Sequence, residues 1–217
     1  MGFLKGGALL IQETDAKDIF IRSEFGEDQK MMLSATEDFN EREILPVLML
    51  FEEKDYALVE SLMRKAGELG LLGINVPEKY EGLGMGFNTG MLICEEISSL
   101  TGSIATAFGA HTGIGTLPIL LYGSEEQKLH YLPKIASGEW ISCYNLTEPD
   151  AGSDANSGKT KAVLTEDGEH YEITGQKIWI SNAGFADVFI VFARIEEDKN
   201  ITGFIFEKDQ VEGLTLN

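Results

Sequence analysis

The sequence is poor in basic residues, and this shortage excludes whole classes of partner. Its 217 residues include 17 Lys and Arg against 36 Asp and Glu, which gives a formal net charge of −19. Binding to nucleic acid depends on clustered basic side chains that neutralise phosphates, so we expect no nucleic-acid partner. The same charge disfavours an anionic membrane surface. An acidic excess of this kind is typical of a surface that keeps a protein in solution.

Cysteine and histidine are also scarce, with two and three residues respectively. Neither type forms a cluster, and a zinc site needs several such ligands brought together, so we predict no metal site. Cys94 and Cys143 have no metal-binding spacing, which indicates reduced thiols packed in apolar surroundings. We therefore expect a cytoplasmic protein.

Long hydrophobic runs are missing as well. The apolar run at residues 8–11 is too short for the core of a secretory signal, and polar residues follow it at once. No window reaches the length of a membrane helix, so we predict no membrane span. What is present is a globular composition, with 43% hydrophobic residues, in a chain long enough to bury a sizeable core.

Helical periodicity dominates the sequence before residue 140. Apolar residues recur at spacings of three and four in three stretches: Met32, Ala35 and Phe39; Leu58, Leu62, Ala66 and Leu69; Ile93, Ile97 and Leu100. Gly70 and Gly102 follow the second and third stretches and predict helix ends. Pro46 predicts an end or a kink in the first helix. Ser124 and Gln127 have the spacing of a capping box and predict the start of a further helix.

Strand-like runs dominate after residue 140. Three short segments are rich in Val, Ile, Phe and Tyr, at residues 171–174, 188–194 and 203–207. Asp167-Gly168 lies between two such runs and predicts a hairpin turn. Residues 214–217 resemble the beginning of another strand.

These two patterns predict an α+β protein. We expect an N-terminal extension over residues 1–30 and an all-α helical domain over residues 31–138. An antiparallel β-barrel or sandwich then occupies residues 139–217 and is incomplete at its C-terminal end.

Two segments carry the candidate chemistry. Residues 144–154 read Tyr-Asn-Leu-Thr-Glu-Pro-Asp-Ala-Gly-Ser-Asp, and residues 175–184 read Gly-Gln-Lys-Ile-Trp-Ile-Ser-Asn-Ala-Gly. Thr147 offers a hydroxyl and a backbone N–H at a strand end. We expect Trp179 on a short strand, with Ser181 on the same side two residues later. A flavin needs polar contacts at its edge and an apolar surface against its rings. Thr-Glu-Pro is also a common turn, and a Trp on a strand is commonly a core residue.

The two segments resemble the flavin-contacting loops of the acyl-CoA dehydrogenase family. That family carries Thr-Glu-Pro-x-x-Gly-Ser-Asp and Gly-Gln-Lys-x-Trp-Ile-Thr/Ser-Asn in this order and at about this separation. The similarity continues upstream through residues 67–73, 77–84 and 131–139. Residues 108–123 are most similar to the very-long-chain branch. Asp150 stands at a variable position of the motif, and Ser181 stands where Thr is common.

The resemblance implies FAD as the cofactor and assigns roles to particular residues. Thr147 would hydrogen-bond the pyrimidine edge of the flavin, Ser181 would reach its N5 atom, and Ser153 would also contact the CoA thioester substrate. The complete set of implied cofactor contacts is Tyr144, Leu146, Thr147, Gly152, Ser153, Trp179, Ile180 and Ser181.

The implied activity is α,β-dehydrogenation of a fatty acyl-CoA in β-oxidation. The implied electron acceptor is an electron-transfer flavoprotein, and the full-length enzyme would be a homo-oligomer. In that family the carboxylate base lies in a C-terminal helical domain beyond the position of Asn217. We therefore expect no catalytic residue in this chain and no activity from it alone. Two alternatives stay open: a non-catalytic binding or folding module, and a flavoprotein similar to acyl-CoA oxidase that passes electrons to oxygen.

Three conspicuous polar residues have simpler interpretations. His111 lies among small residues and is expected to be a packed, hydrogen-bonded histidine. Glu148 and Asp154 lie in the first loop and are expected to stabilise turns or to bond the backbone.

Overall fold

The computed structural model describes residues 6–19, 21 and 24–216, and it confirms a helical region followed by a sheet. Part of the expected extension, residues 1–5, 20, 22 and 23, lies outside the described residues, as does residue 217. The helices are α1 (Glu27–Phe39), α2 (Tyr56–Glu68), α3 (Phe87–Ile97), α4 (Gly102–Gly109), α5 (Leu117–Tyr122) and α6 (Glu125–Ser137). The strands are β1 (Ser142–Asn145), β2 (Lys161–Leu164), β3 (Tyr171–Thr174), β4 (Val188–Ile195) and β5 (Thr202–Glu207).

Pro46 lies where the winding of the first helix changes. The α-helical turns end at Phe39 and continue as a π-helical segment (Asn40–Ile44) and then as a 3-10 helix (Leu45–Glu53). Pro46 occupies the first turn of the 3-10 helix, and because it lacks an N–H it cannot donate a hydrogen bond to the preceding segment.

The predicted capping box opens α6. The Ser124 hydroxyl accepts from the Gln127 N–H at 3.1 Å, and the Gln127 side chain accepts from the Ser124 N–H at 2.8 Å. The helix continues past Pro133 and ends at Gly138, whose φ is +76°. At this end Gly67 of α2 packs closely, since a Cβ there would lie 2.2 Å from the Ser137 carbonyl oxygen. The two helices therefore meet backbone to backbone just before the sheet begins.

The helical run Gly102–Tyr122 is long and apolar enough, by length and composition alone, to cross a membrane. The sequence prediction missed this run, because Gly102 was expected only to end α3. Instead the Thr101 hydroxyl accepts from the Ser103 N–H and begins α4. Ile104, Phe108 and Ile119 of this run are buried in the core of the helical region, and this packing accounts for their apolar character.

The five strands form a mixed sheet, so the expected purely antiparallel arrangement is wrong. β1 and β2 both lie parallel to β4 and occupy successive parts of the same edge, while β5 pairs antiparallel along the opposite edge. The hairpin between β2 and β3 is antiparallel, as the Asp167-Gly168 turn predicted. Residues 214–216 form no strand. β4 is buried along most of its length, which is typical of a strand with parallel neighbours.

The sheet has two apolar faces because successive side chains of a strand point to opposite sides. The helix face consists of Tyr144, Ile190, Phe192 and Ile205, which pack with Ile119, Leu132 and Ile135 of the helical region. The groove face consists of Cys143, Phe189, Val191 and Phe206, which pack with Ile173, Ile180 and Ala183. The first candidate loop therefore starts on the helix face at Tyr144, whereas Ile180 and Ala183 of the second loop pack on the groove face.

Candidate functional site

The first candidate loop begins on the helix face and then turns toward solvent. The ring of Tyr144 lies 4.9 Å from that of Phe192, and burial raises the pKa of Tyr144. Leu146 and Thr147 follow the end of β1 and are half-buried, whereas Gly152 and Ser153 are exposed. A Cβ on Gly152 would meet no atom within 4 Å, so a ligand could approach the backbone here.

The second candidate loop is not the short strand that the sequence predicted. Residues 175–180 form no strand, and Trp179 lies at a bend with φ +57° and with 87% of its surface exposed. Ser181 begins a turn rather than continuing a strand, and Asn182 has φ +70°. Trp179 is therefore neither a strand residue nor a core residue. Ser181 therefore lies between two residues with left-handed backbone conformations.

The two loops are joined directly. The Ile178 N–H donates to the Thr147 carbonyl oxygen at 2.9 Å. The Lys177 ammonium donates to the Leu146 carbonyl oxygen at 3.0 Å and to the Glu148 carboxylate at 2.6 Å. The structure thus brings Leu146 and Thr147 next to the segment that carries Trp179 and Ser181.

Glu148 is held as a buried carboxylate. It accepts hydrogen bonds from the backbone N–H groups of Lys159 and Thr160 at 2.5 and 3.1 Å, besides the ammonium of Lys177. Burial alone would raise the pKa of Glu148, but the Lys177 ammonium and the donated hydrogen bonds outweigh burial and lower this pKa to about 2. The expected role of Glu148 as a backbone-bonding residue is confirmed.

Asn182 ties the second loop to the helical region, and the sequence prediction missed it. Its side chain is buried, and its Nδ2 donates to the Ala107 carbonyl oxygen at 2.9 Å and to the Ser142 carbonyl oxygen at 3.3 Å. The available signal was its residue type, since Asn adopts positive φ more readily than most residues. Ser181 is thereby fixed relative to both α4 and β1.

His111 fixes β1 from the other side. Its Nε2 lies 3.0 Å from the Ile135 carbonyl oxygen, and its Nδ1 accepts from the Ser142 N–H at 3.1 Å. These partners require a proton on Nε2 and none on Nδ1. Burial lowers the pKa of His111 to about 4, so the ring is neutral. The expectation of a packed, hydrogen-bonded histidine is confirmed.

The loops leave polar groups available to a ligand. Within the described residues, the Thr147 hydroxyl and N–H and the Ser181 hydroxyl have no hydrogen-bond partner. Beside them stands the exposed indole of Trp179. Unpaired donors next to a flat apolar side chain suit a planar ring with a polar edge.

An open groove with a volume of about 1770 Å³ runs along the groove face. Trp179, Ile180 and Ser181 line it, together with side chains of β4 and β5. Of residues 144–154, Asn145 alone lines this groove, and Tyr144 packs on the helix face instead. The structure therefore connects the two loops through backbone and side-chain bonds, but it does not gather all the predicted contact residues in one cavity.

Known proteins share both regions of the chain. The family described as acyl-CoA dehydrogenase, N-terminal domain, matches residues 26–139, and the family described as acyl-CoA dehydrogenase, middle domain, matches residues 143–217. A probable acyl-CoA dehydrogenase of Bacillus subtilis is 48% identical over 205 residues, which are 94% of this chain and 34% of that protein.

Solved structures agree with these matches. The crystal structure of an acyl-CoA dehydrogenase complexed with FAD from Bacillus anthracis is 47% identical with a TM-score of 0.88, covering 94% of this chain and 36% of that one. The electron transferring flavoprotein of Acidaminococcus fermentans is 36% identical with a TM-score of 0.76, covering 87% of this chain and 50% of that one. The chain thus spans about a third to a half of the length of these relatives.

Proposed function

The chain belongs to the acyl-CoA dehydrogenase family, and from this premise we propose that it carries the FAD-binding loops of an enzyme that oxidises a fatty acyl-CoA between its α and β carbons. The observation that supports this proposal most strongly is the joining of the two loops. The Ile178 N–H and the Lys177 ammonium both bond the first loop, while neighbouring donors on Thr147 and Ser181 stay without partners among the described residues.

The residues present fit a flavin. Its isoalloxazine ring is flat and largely apolar, with hydrogen-bonding atoms along its pyrimidine edge and at N5. Thr147 offers a hydroxyl and an N–H, Ser181 offers a hydroxyl, and Trp179 offers an exposed aromatic face. In the proposed complex Thr147 binds the pyrimidine edge, Ser181 bonds N5 and Trp179 packs against the rings. The remaining proposed contacts are Tyr144, Leu146, Gly152, Ser153 and Ile180.

FAD, when bound, supplies the acceptor for the hydride that leaves the β carbon. The residues of this chain bind the cofactor and orient the substrate against it. Ser153 is exposed on the first loop, and we assign it a contact with the CoA thioester as well as with the cofactor.

No residue of this chain is assigned as the base that removes the α proton. Glu148 is the carboxylate nearest in sequence to the loop donors, but its oxygens already accept from Lys177, Lys159 and Thr160. A general base needs an oxygen that can take a proton near neutral pH. The low pKa of Glu148 makes it a poor acceptor. We propose that the base comes from a C-terminal helical domain and that this chain alone is inactive.

The wider assignments are proposals that rest on family membership. The division into an extension, a helical domain over residues 31–138 and a β domain over residues 139–217 belongs to them. So do a role in fatty acid β-oxidation, an electron-transfer flavoprotein as electron acceptor, and a homo-oligomeric full-length enzyme. A cytoplasmic location is supported by Cys94 and Cys143, which are both free thiols.

The test is retention of FAD by the purified chain. After incubation with FAD and gel filtration, we expect a structured absorption band near ~450 nm, the band of oxidised flavin held by a protein. Thr147→Val and Ser181→Ala remove only a hydroxyl each, so both should lower the bound fraction. Thr202→Val changes an exposed hydroxyl of β5, outside the groove lining, in the same way and should leave the bound fraction unchanged. An unsubstituted chain that emerges free of flavin would contradict the proposed site.

A further inference from the structure

The Glu148–Lys177 pair stands apart from the other ion pairs of the sheet region. The exposed fractions of its Lys and Glu side chains are 12% and 6%. The Lys159–Asp150 pair, from the same loop, has exposed fractions of 76% and 71%. Exposed pairs are screened by water and fix little. A buried pair fixes its partners strongly, because separating it leaves a charge without compensation.

The buried pair lies between the residues that the proposed site needs. Glu148 follows Thr147 directly, and Lys177 precedes Trp179 by two positions. Each charged group also bonds the backbone of another part of the chain. Lys177 reaches the Leu146 carbonyl oxygen, and Glu148 reaches the Lys159 N–H. The two charged side chains therefore connect the backbone at Leu146 to the backbone at Lys159 through their own ion pair.

The segment held by this link is strained. Trp179 has φ +57°, a left-handed conformation that side chains with a Cβ rarely adopt. Such conformations persist only where the surroundings over-determine them. One restraint is the Ile178 N–H bond to Thr147, and another is the pair of Asn182 bonds beyond Ser181. A third restraint, on the N-terminal side of Trp179, is the pair of bonds from the Lys177 ammonium to Leu146 and Glu148.

We propose that Glu148 and Lys177 are positioning residues, whose buried ion pair sets the place of Trp179 and Ser181 relative to Thr147. The pair touches neither cofactor nor substrate in this assignment. It acts by holding the two loops together, so that donors on separate segments face one ligand. Its consequence for FAD binding rests on the proposed function, whereas its consequence for the rigidity of the second loop does not.

The experiment uses Trp179 as its own reporter. The chain has two Trp residues, so Trp140→Phe leaves Trp179 as the only one. In that background the steady-state fluorescence anisotropy of Trp179 measures how firmly the second loop is held. Glu148→Gln and Lys177→Gln remove one charge each. The matched controls are Asp150→Asn and Lys161→Gln, which make the same chemical changes in exposed pairs.

We expect both Glu148→Gln and Lys177→Gln to lower the anisotropy of Trp179 and to raise the dissociation constant for FAD at least about tenfold, the change that the loss of one charged hydrogen bond produces. Both controls should stay within about twofold in binding, since exposed pairs contribute little. Unchanged anisotropy in the two folded variants, with folding checked by far-UV circular dichroism, would overturn the proposal.

Two further results separate the possible failures. If the unsubstituted chain retains no FAD but the anisotropy still falls in both variants, the positioning role stands and the proposed function fails. If Glu148→Gln does not fold, Lys177→Gln carries the test, because it leaves the bonds from the Lys159 and Thr160 N–H groups intact. Hydrogen exchange at the Ile178 amide of the unsubstituted chain adds a third check. Protection is expected there, and exchange at the rate of an open loop would overturn the proposal.

Discussion

The two faces of the sheet differ in what covers them. Ile190 and Phe192 on the helix face pack against α5 and α6, so this face is closed by the helical region. Phe189 and Phe206 on the groove face stack with ring centroids 5.4 Å apart and are covered only in part by the second loop. The same strands thus build a closed interface on one side and a lined groove on the other.

The polar groups beside the two faces differ in the same way. The junction with the helical region is held by neutral hydrogen bonds of His111 and Asn182 to Ser142. The loop junction is held by the charges of Glu148 and Lys177. A neutral buried base and an ionised buried acid respond to acid over different pH ranges. The comparison can therefore be tested by core substitution, by pH and by loop substitution.

The largest expected effect is from Ile190→Ala on the helix face. Ile190 is 2% exposed, so its truncation removes buried surface and leaves a cavity between sheet and helices. We expect the free energy of unfolding to fall by about 3 kcal/mol, as for other buried Ile to Ala changes. Phe204→Ala, at a half-buried β5 position that lines the groove, should cost about 1 kcal/mol. Urea unfolding measures both, and equal losses would erase the contrast between the faces.

Acid should weaken the helix-face junction first. The pKa of His111 is about 4 in the folded chain against an ordinary 6.5, so the unfolded chain binds the proton more readily. Stability is therefore full above pH 6.5 and is lost as pH falls toward 4, by about 3 kcal/mol for a shift of this size.

Thermal unfolding as a function of pH measures this loss. His111→Gln keeps a donor and an acceptor but does not titrate, so its stability should be flatter between pH 6.5 and 4. His170→Gln, which alters an exposed His beside β3, should follow the unsubstituted chain. Glu148 changes the stability mainly at lower pH, because its pKa falls from 4.5 to about 2 on folding. A curve for His111→Gln that matches the unsubstituted chain would disprove the assignment.

The smallest effect on stability, with opposite sign, is expected from Trp179→Gly. The indole is exposed and buries little surface, while glycine adopts the left-handed backbone of this position without strain. Stability should stay equal or rise by up to about 1 kcal/mol, the usual cost of a side chain at positive φ. FAD retention should fall, because the aromatic face is gone. A marked loss of stability would show that Trp179 supports the fold rather than a ligand.

Local features of this fold could be predicted from the sequence, and non-local ones could not. The α6 capping box and the Asp167-Gly168 hairpin depend on residues a few positions apart, and both were found. The parallel pairing of β1 with β4 depends on a distant segment, and the signal for it, the continuous apolar run of β4, was taken only as a strand.

The second loop shows the same limit within the site. The apolar run Ile178, Trp179 and Ile180 suits a strand as well as a bend. Its conformation is decided by Asn182, whose partners Ala107 and Ser142 lie 75 and 40 positions earlier in the chain. The residue type of Asn182 favours a positive φ, but the two partners that hold it lie outside any local sequence pattern.

The shared edge of β4 also sets the order in which this molecule can assemble. The β2–β3 hairpin closes over a short turn. The pairing of β1 with β4 instead begins with a hydrogen bond between Ile141 and Asp187, which are 46 positions apart. Contacts so far apart form slowly, because loop closure costs entropy before any pairing rewards it. The two candidate loops lie inside that interval, so we expect them to come together only after β4 docks. A cofactor that binds these loops would then bind only after most of the chain has folded. It would lower the rate of unfolding and leave the rate of folding unchanged.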